Sequence, residues 1–187
     1  MVALPRIIGK KVFRYPTLDS TNDEARRLIA KGEGEGVVVA AEEQTKGKGK
    51  PGRSWYSPAG LGIYLSVIVK PYKNPSALAP ITLAAAEAVV KTIKKTAGLS
   101  AEIKMPNDVM LAGKKLCGIL VERLKSGHVI IGIGINVNNL SGSFPAEIAE
   151  TATSLKIAAD KQFDLASIRC VLLSELDNAY LAYLEKI

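Results

Sequence analysis

The run Val129-Ile130-Ile131-Gly132-Ile133-Gly134-Ile135-Asn136-Val137 leaves the chain little choice of local structure. Successive side chains of a strand point to opposite faces, so Val129, Ile131, Ile133, Ile135 and Val137 share one face while Gly132, Gly134 and Asn136 share the other. The branched apolar face needs a core. The nearly bare face packs poorly unless another group fills the space, so we expect a planar bound group to rest there. The spacing Gly-x-Gly-x-Asn is not the glycine fingerprint of a dinucleotide-binding fold, and no helix signal follows it directly.

Similar reasoning places the other elements. Val12 to Tyr15 reads as a short strand, and Ser20-Thr21-Asn22-Asp23-Glu24 offers capping hydroxyls with a carboxylate three residues beyond Thr21, the start of a helix that carries Ala25, Leu28 and Ile29. Val37 to Ala41 is a buried strand. Glu43 to Gly60 is glycine-rich, basic and aperiodic, hence a long loop, and long loops inside compact domains are usually functional. Ile63 to Val69 alternates as a strand, and Ser76 to Ala97 reads as a helix that is apolar nearly all round and so central. Glu102 to Met105, Val109 to Leu111, Leu116 to Glu122 and Val129 to Val137 form further strands, with turns at Pro106-Asn107-Asp108 and Ala112-Gly113-Lys114. Leu165 to Leu184 is a closing amphipathic helix. Short connections favour hairpins, so the expected class is α+β: a mixed, largely antiparallel sheet with helices packed on it, in one domain spanning 1–187.

Composition narrows the function classes. Hydrophobic residues make up 48% and charged residues 23%, as in an ordinary globular protein. The apolar-rich stretch from Ala77 to Val90 is broken by Pro80, Thr82 and Glu87, and the N-terminus, with Pro5, Arg6, Lys10 and Lys11, lacks a signal-peptide core; a cytoplasmic protein with no membrane partner is expected. Cys117 and Cys170 are expected as buried free thiols. His128 has no cysteines or carboxylates at ligand spacing, so no metal site is expected. A net charge of +7 favours an anionic partner, and much of the excess lies in Lys46, Lys48, Lys50 and Arg53.

Those cations alternate with glycines in Gln44-Thr45-Lys46-Gly47-Lys48-Gly49-Lys50-Pro51-Gly52-Arg53-Ser54-Trp55. Such a loop can wrap phosphates, or it can be a solvated basic patch or a nucleic-acid surface. Trp55, the single tryptophan, could cover a purine or pack in a core. A third feature is Lys104-Met105-Pro106-Asn107-Asp108, followed by Lys114-Lys115 and Gly118. Taken alone it is a turn and a solvated hairpin tip.

Together, and in this order, these features resemble the biotin protein ligases from about Thr17 to Asn138. Ser20-Thr21-Asn22 matches the family's helix entry. Gln44, Gly47 to Arg53 and Trp55 match its glycine-arginine loop, and Lys104 to Asp108 its Lys-Trp-Pro-Asn-Asp segment. Lys115 with Gly118-Ile119-Leu120, and Gly132 to Asn136, match its two following strands. The resemblance implies a fold similar to the class II aminoacyl-tRNA synthetase and biotin synthetase catalytic domains. It also implies an enzyme that uses ATP, biotin and Mg²⁺ to make biotinyl-5'-AMP and passes the biotinyl group to a lysine of a biotin carboxyl carrier domain. By that likeness Ser20, Thr21, Asn22, Gln44, Gly47, Lys48, Gly49, Lys50, Lys115, Gly118 and Gly132 would bind biotin. Lys48, Lys50, Arg53, Trp55, Lys104, Asn107, Gly134 and Asn136 would bind ATP. Lys115, Lys48, Arg53 and Asp108 would be catalytic, with the base of the transfer step either Asp108 or none. An unbroken strand would put Lys115 and Gly118 on opposite faces, a conflict that a turn extending through Lys115 would remove.

Lys48 and Lys50 stand where the family has arginines, which keeps charge but not the planar fork. Met105 replaces a tryptophan, and softer packing follows. Neither a helix-turn-helix DNA-binding domain nor a complete C-terminal barrel-like domain is expected in these 187 residues, and a homodimer is left open. The rival readings are a lipoate or octanoate ligase or transferase on a related fold, needing a longer, narrower pocket, and a basic nucleic-acid-binding protein, against which the 5% aromatic content weighs.

Overall fold

The computed structural model describes residues 6–73 and 77–186. The expected helix start at Ser76 and the residue Pro5 lie outside them. A seven-stranded sheet runs in the order β1 (Lys11–Leu18), β2 (Val37–Gln44), β3 (Gly62–Val69), β7 (Val129–Asn136), β6 (Lys114–Arg123), β5 (Asp108–Leu111) and β4 (Glu102–Lys104). Only β1 and β2 are parallel, joined by the crossover helix α1 (Thr21–Ala30). Every other neighbouring pair is antiparallel. The mixed, largely antiparallel α+β class expected from the sequence is what forms. β1 runs longer than expected, through Pro16, which an edge strand tolerates because one side of its backbone needs no partner.

The two faces of the sheet differ. On one, Val129, Ile131, Ile133 and Ile135 of β7 join Leu65 and Val67 of β3 in the main core beneath α2 (Ala79–Ala97) and α5 (Leu165–Leu184), which pack on each other. Each such isoleucine, fully buried, contributes about 1.5–3 kcal/mol. α2 is not apolar all round: Ile81, Ala85, Ala88, Val89 and Ile93 are buried while Glu87, Lys91, Lys94 and Lys95 are exposed, so it covers the sheet rather than threading a core. Gly98, at φ +72°, closes it in the left-handed conformation. On the opposite face a smaller cluster, Ala25, Leu28, Val39, Ile68 and Ile130, seats α1 over only part of the sheet. This apolar cluster stops short of the stretch where β7 carries its glycines.

From Asn138 onward a 3-10 turn (Ser141–Ser143) and two short helices, α3 (Ala146–Ala149) and α4 (Leu155–Ala159), lead to α5. The thiols split: Cys117 is buried, but Cys170, on the outer side of α5, is exposed, which corrects the expectation of two buried thiols.

Candidate active site

A cleft of about 700 Å³, counting the solvent at its mouth, opens on the α1 side of the sheet. Its floor is β7 and β6 at Gly132, Gly134, Gly118 and Leu120, with Gly134 paired to Gly118 across the two strands. One wall is the start of α1 with Gln44 of β2, the other the loop that follows Gln44. Ser20, Thr21, Asn22, Gln44, Lys48, Gly49, Lys50, Arg53, Trp55, Asn107, Asp108, Lys115, Gly118, Gly132 and Gly134 all line it. Three residues named with them do not. Lys104 is exposed on β4. Asn136 is buried, its Nδ2 donating to Thr153 O at 3.0 Å. Gly47 lies behind the wall, where a Cβ would fall 2.4 Å from Trp55 O, so this glycine lets the loop close on itself.

The helix entry does not cap itself as the sequence suggests. Ser20 is the N-cap residue but makes no side-chain cap bond, and Glu24 instead accepts from Tyr15 Oη and Arg27 Nε. Ser20 and Thr21 line the cleft instead, the Thr21 hydroxyl lying 2.8 Å from Ser66 Oγ and 3.1 Å from Gln44 Oε1. Both residues are buried, and Gln44 Oε1 accepts from Thr21 N at 2.8 Å. Gln44 Nε2 in turn donates to Ser57 Oγ at 2.9 Å, tying the helix entry to the loop.

The loop is a hydrogen-bonded hairpin. Lys48 and Ser54 form a bridge, Gly49 N donates to Arg53 O at 2.9 Å and Trp55 N to Gly47 O at 2.8 Å, with Gly52 at φ +78° in the turn. Lys48 Nζ donates to Asp23 Oδ1 at 2.6 Å, while Lys50 and Arg53 have no carboxylate partner among the described residues. Four cations, Lys48, Lys50, Arg53 and Lys115, against the one carboxylate Asp108 leave the lining positive.

Two expectations need correction. The bare face of β7 is filled by the protein's own side chains rather than left for a planar ligand. A Cβ on Gly132 would lie 2.2 Å from Asn22 Oδ1, and one on Gly134 would lie 2.2 Å from Trp55 Nε1. Lys115 Nζ stands 5.5 Å from the centroid of the same indole, a cation–π contact. Nor does a turn extend through Lys115, which lies within β6. The register against β5 slips there, Val109 opposing Cys117 but Met110 opposing Lys115. The extra residue, Leu116, makes a β-bulge. Leu116 and Cys117 both enter the core, and Lys115 returns to the side of Gly118, its Cε 3.5 Å from where a Cβ there would be.

The bulge brings Lys115 Nζ to 2.7 Å from Asp108 Oδ1, an ion pair without hydrogen-bond alignment. Two further buried groups of the lining, Trp55 Nε1 and Asn107 Oδ1, have no hydrogen-bond partner. An unmade buried hydrogen bond costs about 1–3 kcal/mol, so this donor and acceptor favour a ligand that meets them. Burial pushes the Cys117 thiol well above its usual range and the side chain faces the core, so no thiolate nucleophile serves the cleft. No cluster of three metal-ligating side chains occurs among the described residues, and no helix there is long and apolar enough to cross a membrane.

Sequence reasoning passed over Ser54, Ile119, Leu120 and Ile133 in the lining, and Ser66, Glu122 and Asp23 behind it. Ser66 carried a signal: the one small polar side chain in the apolar strand Ile63 to Val69.

Comparison with known proteins agrees with the geometry. The sequence model of the biotin/lipoate A/B protein ligase family matches residues 15–136. The chain is 38% identical over 184 residues to the bifunctional ligase/repressor BirA of Bacillus subtilis, covering 95% of this chain and 56% of that protein. It is 36% identical over 163 residues to the biotin–[acetyl-CoA-carboxylase] ligase of Mycobacterium tuberculosis, covering 84% of this chain and 59% of that one. The chain thus spans little more than half the length of these relatives. The structure of the Aquifex aeolicus biotin protein ligase in complex with biotin and ATP superposes with a TM-score of 0.84 at 32% identity, covering 95% of this chain and 73% of that one.

Proposed function

The chain belongs to the biotin/lipoate A/B protein ligase family, and from that premise we propose that it is a biotin ligase catalytic domain, acting in the cytoplasm. It would activate biotin as biotinyl-5'-AMP at the expense of ATP and pass the biotinyl group to a lysine of a biotin carboxyl carrier domain. The observation that carries this reading is the polarity of the cleft. At the β3 end stand the uncharged groups of Ser20, Thr21 and Gln44; at the β5 end stand Lys115, Asp108 and Asn107. Three strand spacings separate β3 from β5, roughly 14 Å. A bicyclic acid with a polar ureido head fits the first end and can reach the second with its carboxylate. A linear acyl chain has nothing to offer the polar end, which sets octanoate and lipoate behind biotin. A thioester route would require a reactive cysteine, and the thiol nearest the cleft faces the core.

Chemistry follows from charge. A carboxylate with an ordinary pKa near 4 is already ionised at neutral pH, so its attack on the α-phosphorus of MgATP needs no base. The new P–O bond forms as the bond to pyrophosphate breaks. Two anions must meet, and Lys50, Arg53 and Lys115 lower that barrier by neutralising charge where it develops. Lys48 joins them when the phosphates outcompete Asp23. Mg²⁺ would be carried by the nucleotide's phosphates, where it would neutralise part of their charge. In the second step the acceptor amine attacks the acyl carbonyl and AMP leaves. That amine must lose a proton, which Asp108, the carboxylate among the lining residues, would take.

Transfer is tested with a purified carrier domain, labelled biotin and MgATP. Label on the carrier domain, lost when its acceptor lysine is replaced by arginine, is the expected result. A protein that binds nucleic acid but transfers no label would return the basic loop to the rival reading.

A further inference from the structure

The hydrogens around Thr21 and Asn22 can be counted. Arg26 Nη2 donates to Glu122 Oε1 at 2.9 Å, which marks Glu122 as an acceptor. The Asn22 atom 2.7 Å from Glu122 Oε2 is therefore the amide nitrogen, which also lies 3.5 Å from Leu120 O. Asn22 Oδ1 is thereby turned to Ser66 Oγ, 2.6 Å away, where it can only accept. A serine hydroxyl has one proton, and this contact uses it. Thr21 Oγ1 lies 2.8 Å from the same Ser66 Oγ and 3.1 Å from Gln44 Oε1, and with the Ser66 proton spent on Asn22 the Thr21 proton goes to one of these two acceptors. Ser66 Oγ is the nearer of the two, and Gln44 Oε1 also accepts from Thr21 N, so the shorter contact to Ser66 is the favoured one. Thr21 then shows the cleft lone pairs and no proton.

We propose that Ser66 and Glu122 are positioning residues which, through Asn22, fix Thr21 Oγ1 as a hydrogen-bond acceptor and so select an acid whose polar head offers an N–H donor. The proposal rests on the ligase reading above and names how its substrate is chosen. Neither Ser66 nor Glu122 lines the cleft. Ser66 is fully buried beside Gly132 in the sheet, and Asn22 is 3% exposed. The glycine at position 132 has its reason here too: it gives the Asn22 amide its seat. A site that hydrogen-bonds a particular group discriminates strongly against analogues lacking it, because its own buried partner is then left unpaired.

The test is steady-state adenylate formation, measured as ATP–pyrophosphate exchange, in wild type, Ser66→Ala, Glu122→Ala and Glu122→Gln, with thermal melting to verify folding. Ser66→Ala frees the Thr21 hydroxyl to rotate, and Glu122→Ala frees the Asn22 amide. Each should raise the KM for biotin about tenfold, the equivalent of one hydrogen bond, while kcat and the KM for ATP stay within about twofold. Glu122→Gln keeps an acceptor for Asn22 Nδ2 and should return the biotin KM to within about threefold of wild type. An unchanged biotin KM in Ser66→Ala, a glutamine variant as impaired as the alanine one, or a parallel rise in both KM values would overturn the network. Should Glu122→Ala fail to fold, Ser66→Ala and Glu122→Gln decide alone. Wild-type protein that gives no exchange with biotin overturns the ligase reading itself, a separate outcome.

Discussion

The indole of Trp55 covers Gly134 so closely that a Cβ on that glycine would fall 2.2 Å from Nε1 and 2.5 Å from Cε2. Trp55 is the only tryptophan of the chain, so its emission reports on the cleft without labelling. Gly134→Ala must push the indole off the floor towards water. We expect a red-shifted emission maximum in a folded variant, with biotin-dependent activity falling at least tenfold. An unshifted spectrum would mean that the indole does not rest on this strand.

Lys115 is the cation that the bulge at Leu116 returns to the cleft, 2.7 Å from Asp108. Lys115→Ala should lower adenylate formation by about 100-fold or more, the usual cost of removing a preorganised electrostatic group. Lys114, one residue earlier and exposed, should tolerate alanine. Near-normal adenylate yield from the first variant would remove Lys115 from the mechanism.

Much of this arrangement could be read from the sequence, and the remainder was hidden for physical reasons. Strict alternation in Ile63 to Val69 and Val129 to Val137, and helical spacing in Leu165 to Leu184, announced β3, β7 and α5. The order of motifs named fifteen residues that now share one cleft. Parity alone misplaced Lys115, because a bulge adds a residue without changing composition. An empty strand face was legible at Gly132 and Gly134, but a one-dimensional pattern cannot say which side chain, from 79 or 110 positions away in sequence, will fill it: Trp55 over Gly134 and Asn22 over Gly132. Ser66 was visible as a polar residue in an apolar strand, yet its partners come from α1.

Acid stability should carry the mark of Asp19. Its hydrogen bonds from Arg27 hold the carboxyl at about 2, below its ordinary value of 3.8. A depressed carboxylate stabilises the fold above the unfolded pKa, and the contribution is lost as pH falls from about 4 through about 2. The pair is partly exposed, so at pH 7 Asp19→Asn should cost no more than about 1 kcal/mol. Urea unfolding of both proteins at several pH values checks this: the gap should close on acidification, and a gap that persists at pH 2 would assign it to another cause.

The hairpin loop from Thr45 to Ser57 carries cations that a ligand's phosphates would neutralise, and folding it tighter around them should couple biotin and ATP binding positively. Trypsin reads this directly, since Lys46, Lys48 and Arg53 are cleavable while Lys50 is followed by Pro51. Biotin with ATP should slow cutting at those three sites several-fold. Equal rates with and without both ligands at saturation, in active enzyme, would falsify the coupling.

The choice of acid is read most directly by incubating the protein with MgATP and either biotin, lipoate or octanoate, with the acyl-adenylate isolated and quantified. The polar end built by Ser20, Thr21 and Gln44 predicts biotinyl-5'-AMP as the dominant product, by at least about 100-fold over the linear acids. Adenylation of octanoate or lipoate in preference to biotin, or no adenylate from any of the three, would contradict it.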